Sequence, residues 1–130
     1  MKKKHCCCEY VRQRNLNLRR EVIARIGTRR SLADIFSEVS ASRAERFYIS
    51  EERALLLIKR KMKTGSWDPD MFPMRRRMME VIEEKVAELR RVDPGMSLRE
   101  AVFEVVNSPA PSFFLTPGSV RVIFYSSKTA

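Results

Sequence analysis

The sequence predicts an all-α protein made of two tandem three-helix units related by internal duplication, and three observations lead there. Glycine and proline number 4 and 6 in 130 residues, too few for the many turns of an all-β fold. Apolar residues recur at helical spacing, most clearly Met78, Met79, Ile82, Val86 and Leu89. The chain also repeats itself: residues 31–58 align with residues 97–124 over 28 positions, without a gap, at an offset of 66. Identities fall at Ser31/Ser97, Leu32/Leu98, Glu38/Glu104, Val39/Val105, Ser42/Ser108, Ala44/Ala110 and Phe47/Phe113. Upstream, Leu18-Arg19-Arg20 is matched by Met74-Arg75-Arg76 at an offset of 56, so the second half carries a longer piece between its first two helices.

Each half reads as three helices. The first is expected over residues 8–26 and 74–91; Pro73 before the latter and Asp93-Pro94-Gly95 after it are start and stop signals. The second helix is expected over residues 32–40 and 98–107, capped by Ser31 and Ser97, whose side chains accept bonds from orphaned amides. Asp34 and Glu100 stand three residues further on, as in a capping box. The third helix opens at Ser50 or Thr116, with Glu51 and Glu52 suited to the positive end of its dipole and Pro117 to the first helical position. Residues 120–125 are β-branched and aromatic enough for a strand; their partner, residues 54–60, is a strong helix former and decides for helix. The expected division is therefore 1–63, a linker at 64–73, and 74–130, with the two units free to pack as one compact domain. Between second and third helices both halves place two aromatics and an aliphatic before a cap, Phe47-Tyr48-Ile49-Ser50 and Phe113-Phe114-Leu115-Thr116. These aromatics read as buried plugs rather than as platforms for bases. Trp67 is the one aromatic expected to be exposed, and the seven methionines read as core filler.

The net charge is +10, and it is lopsided. Residues 1–30 hold 10 Lys/Arg against Glu9 and Glu21; residues 31–73 hold 7 of each sign, and residues 74–130 hold 9 basic against 7 acidic. So concentrated a field favours polyanions, nucleic acid before an acidic protein partner. No apolar run approaches the ~20 residues of a membrane span, and no apolar stretch follows Lys2-Lys3-Lys4 as in a signal peptide. The expectation is a cytoplasmic protein with no membrane partner. Cys6, Cys7 and Cys8 beside His5 are adjacent, whereas zinc ligands come as spaced pairs with a second pair further on. Neither a metal nor another cofactor is expected, and the thiols read as reduced.

Three helices with the last two joined by a turn resemble the helix-turn-helix superfamily, over residues 18–61 and 74–128. The doubled Phe-aromatic-aliphatic-Ser/Thr box, the second after Pro109-Ala110-Pro111, also resembles a group of short proteins of gut bacteria and their mobile elements. The first resemblance implies two helix-turn-helix-like units binding duplex DNA; the second is compatible with a regulatory or accessory factor of a mobile element. Phosphate contacts would dominate. The candidates are Arg12, Arg14, Arg19 and Arg20 on the first helix, Arg29 and Arg30 before the Ser31 cap, Arg43 and Arg46 in the link, Arg53 early in the third helix, and Arg75, Arg76 and Arg77. Lys59, Arg60, Lys61 and Lys63 divide evenly between phosphate binding and complementing a helix C-terminus. The charge-poor third helix of the second half is left for packing or a homodimer. No phosphate loop, His-Glu-x-x-His or nucleophile motif occurs, so no enzyme is expected. The remaining alternative is an interaction protein docking on an acidic protein partner.

Overall fold

In the computed structural model the backbone is described for residues 2–127 and the side chains for residues 9–126. Lys2–Lys4, His5 and Cys6–Cys8 therefore have side chains outside the described residues. The described chain is helical throughout: α1 (Lys2–Arg25), α2 (Leu32–Ser40), α3 (Glu51–Thr64), α4 (Pro73–Val92), α5 (Leu98–Val106) and α6 (Pro117–Ser127). The expected caps form. Asp34 N donates to Ser31 Oγ at 3.1 Å, Arg53 N to Ser50 Oγ at 3.1 Å, and Ser119 N to Thr116 Oγ1 at 3.2 Å. A full capping box closes at α5, where the longer Glu100 side chain also accepts from Ser97 N at 3.0 Å. Residues 120–125 are helical, not extended.

The helices do not group in chain order. One compact unit is residues 1–48 with 109–130, and the other is residues 49–108. Unit 1 packs α1, α2 and α6 together; unit 2 packs α3, α4 and α5. The contiguous division at 63 and 74 is thus replaced by one at 48/49 and 108/109. Each unit takes two helices from one half of the chain and the third from the other.

The physical reason lies in the plug segments. Ala44 N donates to Ala110 O and Ala110 N to Ala44 O, both at 3.0 Å, an antiparallel bridge between equivalent positions of the two halves. Phe47 stacks on Phe114 (6.1 Å, 19°) and Tyr48 on Phe113 (6.3 Å, 12°). Because 47 corresponds to 113 and 48 to 114, these two stacks are one contact made twice in reciprocal sense. Phe114 has φ 56°, a conformation rare for an aromatic, with its N–H donating to Ser112 Oγ at 2.8 Å. Pairing at these segments brings α6 onto α1 and α2.

Within unit 1, Leu18, Val22, Ile35, Val39, Phe47 and Val120 are at most 1% exposed, and Phe36 meets Phe124 at 5.9 Å. Asn17 is buried with them and ties the link to α1: its Oδ1 accepts from Glu45 N at 3.0 Å and from the Tyr48 hydroxyl at 2.9 Å. Burial, with the Glu45 charge second, pushes the Tyr48 phenol up to about 12. Within unit 2, Met79 and Ile82 of α4, Ala101 and Val102 of α5, and Ala54, Leu55, Leu57 and Ile58 of α3 are buried where the three helices pack together. The expected linker belongs to this unit. Gly65 caps α3 at φ 90°, a left-handed turn that glycine makes without cost, and Asp70 N donates to Asp68 Oδ1 at 2.9 Å in the turn leading to α4.

Replacing Phe47, 1% exposed, with Ala removes a buried ring and the stack on Phe114, and should cost about 3–5 kcal/mol. Phe72→Ala, at a position 79% exposed, should leave stability within ~0.5 kcal/mol of the parent. Urea unfolding followed by far-UV circular dichroism measures both. Equal midpoints for the two variants would contradict the pairing of the two plug segments as a core element.

Candidate nucleic-acid interface

The regrouping of helices redistributes charge. By sequence, residues 1–48 and 109–130 hold 14 Lys/Arg against 5 Asp/Glu, whereas residues 49–108 hold 12 against 11. Unit 1 therefore carries +9 of the net +10, and unit 2 is close to neutral. The twelve arginines singled out from the sequence are divided accordingly. Arg12, Arg14, Arg19, Arg20, Arg29, Arg30, Arg43 and Arg46 lie in unit 1; Arg53, Arg75, Arg76 and Arg77 lie in unit 2.

In unit 1 the arginines differ sharply in how far they are engaged within the fold. Arg14 is half-buried and donates to Asn15 Oδ1 at 3.1 and 3.2 Å; burial lowers its pKa from the ordinary guanidinium value. Arg19 lies over the Phe124 ring at 5.2 Å and donates to Phe124 O at 3.4 Å. Arg46 covers the Tyr10 ring at 4.3 Å and donates to Phe47 O at 2.9 Å. Arg19 and Arg46 lock α1 and the link to their surroundings, through dispersion and cation–π contact as much as charge. Arg20 pairs with Glu45, and Arg30 with Glu38.

Of the candidate arginines in unit 1, three are exposed with no ion pair among the described residues: Arg12, Arg29 and Arg43. Arg12 shares the outward face of α1 with Leu16, Arg20 and Ile23, which follow at helical spacing. Leu16 and Ile23 are 56% and 50% exposed, so this helix has apolar residues on two faces. Arg29 sits in the turn after α1, and Arg43 lines a cavity of about 460 Å³ with Glu21, Arg25 and Glu45. The third helix of this unit, α6, contributes Arg121, whose guanidinium lies over the Tyr125 ring at 5.7 Å. The cationic surface of unit 1 is thus carried by α1 and the turns.

In unit 2, Arg53 and Arg60 of α3 and Arg75 of α4 line one cleft with Asp68, Asp70 and Phe72. Arg76 and Arg77 are exposed on α4, which starts from Phe72 without a side-chain cap. Of the basic run ending α3, Lys61 is held by Glu83 at 2.8 Å and lies over the Trp67 ring at 5.0 Å, which leaves Trp67 half-buried rather than open. Glu88 pairs with Arg91 at 2.7 Å, as expected of a solvated helix face.

The sequence reading missed two features. Asn17, a polar residue in a run of basic ones, gives no sign of being the buried acceptor that anchors the link. Phe72 beside Pro73 reads as a helix-start residue, yet its ring is the most exposed of the large apolar side chains described. Among the described residues no group of three or more His, Cys, Asp or Glu is placed to hold a metal ion, and no helix is long and apolar enough to cross a membrane. No protein-family model matches the chain, and no curated protein or solved structure is significantly similar to it.

Glu38 joins three elements. Its carboxylate accepts from Arg25 Nε at 3.2 Å and pairs with Arg30, so α2 is tied to the end of α1 and to the turn between them. The hydrogen bond from Arg25, then that from Arg30, holds the Glu38 carboxyl below its ordinary value. A depressed folded value means that the stabilisation is present above the unfolded pKa and is lost as pH falls through the folded one. The urea midpoint should therefore fall between pH 6 and pH 3, and Glu38→Gln should flatten that limb; an identical acid limb in the variant would refute the assignment.

Proposed function

We propose that the chain binds nucleic acid, double-stranded DNA foremost, through the unit built from α1, α2 and α6. We read the two halves as copies of one three-helix unit, with the first supplying most of the charge. One observation carries the reading: residues 1–48 and 109–130 hold +9 of the net charge, with Arg12, Arg29 and Arg43 exposed and unpaired by carboxylates. A surface of this kind meets the phosphate backbone, releases condensed counterions, and gains affinity without reading base edges. Arg121 is the single cation on the described part of the third helix of that unit, which favours phosphate contact over base recognition by α6. Arg19 and Arg46 hold the fold, Arg14 is half-buried against Asn15, and all three are set aside as contacts; Arg20 and Arg30 would first have to leave Glu45 and Glu38.

Affinity for a duplex should fall steeply with salt, with about 0.9 of a logarithmic unit of slope for each phosphate contact. Replacing Arg12, Arg29 and Arg43 together with Ala should lower that slope by about 2–3 and weaken all sequences alike. Fluorescence anisotropy over a salt titration measures this. A salt-independent affinity, or retention of acidic protein partners after nuclease treatment with no nucleic acid recovered, would favour docking on an acidic protein instead.

A further inference from the structure

Unit 2 is nearly neutral, yet it gathers three guanidinium groups around one cleft. Arg53 and Arg60 project from α3 seven residues apart, on one face, and Arg75 comes from the first turn of α4. The turn between the helices closes the cleft with Asp68, Asp70 and Phe72. Cations and carboxylates share these walls, but no ion pair joins Arg53 or Arg60 to Asp68 or Asp70. Elsewhere in the same unit neighbouring opposite charges do close on one another, as Lys61 on Glu83 and Arg99 on Glu52, both at 2.8 Å. Asp68 keeps one oxygen engaged by Asp70 N at 2.9 Å, which fixes the turn. The Phe72 ring stands 79% exposed at the edge.

We propose that this cleft binds a nucleoside phosphate, with the phosphate on Arg53, Arg60 and Arg75 and the base against Phe72. The three parts of such a ligand match three separate features of the cleft. Phosphate oxygens accept from guanidinium donors, for which arginine geometry is well suited. Sugar hydroxyls and base amino groups donate, and Asp68 and Asp70, which form no ion pair with Arg53 or Arg60, supply acceptors. A base presents a flat π-face, and an exposed aromatic ring is the usual partner for it. The cleft measures about 210 Å³. That is less than the ~300 Å³ at which pockets begin to enclose a whole small molecule. It suits a phosphate and sugar, with the base lying outside on the ring. The same chemistry is offered by a free nucleotide and by an unpaired nucleotide of a single strand. This cleft belongs to unit 2 alone and does not depend on duplex binding by unit 1.

Titration of the full chain with adenosine and guanosine monophosphates, inorganic phosphate and a single-stranded pentanucleotide tests it. The readouts are fluorescence of Trp67, the one tryptophan and the neighbour of Asp68, and amide shifts of residues 53–75. Saturable binding of a nucleotide or of the pentanucleotide is expected, stronger than that of inorganic phosphate. Arg60→Ala should weaken it by roughly tenfold. Phe72→Ala should bring nucleotide affinity down to that of phosphate, a loss of about tenfold. Binding of the pentanucleotide alone identifies a strand as the source; binding of both admits the free nucleotide. Both residues are exposed, and unchanged circular dichroism and unchanged duplex affinity separate this site from unit 1. No saturable response, equal affinity for phosphate and nucleotide, or a response untouched by both substitutions would overturn the proposal.

Discussion

The antiparallel contact between residues 44–48 and 110–114 decides how the rest of the chain is assembled. Two backbone hydrogen bonds at Ala44 and Ala110, and two ring stacks in reciprocal sense, join equivalent positions of the two halves. Each stack buries aromatic surface and adds an offset ring contact to the two backbone bonds, so the segments are held by side chains as well as by backbone. Fixed there, the segment leading to α6 runs toward α1 and α2, and α6 buries Val120 and Phe124 among their apolar faces. Asn17, itself buried, fixes residues 45–48 to α1 by accepting from Glu45 N and from the Tyr48 hydroxyl, which also satisfies its own oxygen.

That assembly decides which carboxylates share a unit with which cations. Had each half closed on itself, the basic and acidic residues of α3 would share a unit with α1. Instead α3 brings Glu51 and Glu52 to unit 2, where Glu52 pairs with Arg99 and Glu51 accepts from Asn107 at 3.0 Å. Unit 1 is left with 5 acidic residues against 14 basic ones, a net +9, close to the +10 that residues 1–63 hold with 17 basic and 7 acidic residues, so the exchange of α3 for α6 removes carboxylates without raising the net charge.

The elements themselves were legible in the sequence, and their partners were not. Ser31, Ser50, Ser97 and Thr116 mark helix starts because capping depends on a side chain and an amide three residues away, both local. An apolar stripe such as Met78, Met79, Ile82 and Val86 says that a helix has an inward face, but carries no mark of which helix covers it. The expected units of residues 1–63 and 74–130 assumed that neighbours in sequence pack together, a tendency that a self-matched chain can satisfy in two ways. The candidate cations suffered from the same limit. Arg20 and Glu45 are 25 residues apart, and Arg19 reaches Phe124 across 105, so nothing local separates these engaged arginines from Arg12, Arg29 and Arg43.

A unit with so large an excess of positive charge repels itself, and the placement of its carboxylates shows how the repulsion is met. Glu21, Glu38 and Glu45 all contact arginines of α1 or of the turn after it, at the places where the unit closes. Glu21 and Glu38 converge on Arg25, raising its already high pKa, with the Glu21 hydrogen bond the leading cause. Each surface pair is worth little alone. Arranged as Glu21–Arg25–Glu38–Arg30, however, they form a connected chain linking α1, the turn and α2, and such networks hold better than isolated pairs. Carboxylates thus sit where helices must meet, and among the described residues no carboxylate pairs with Arg12, Arg29 or Arg43. Under the proposed function, those three are the cations that a polyanion would neutralise.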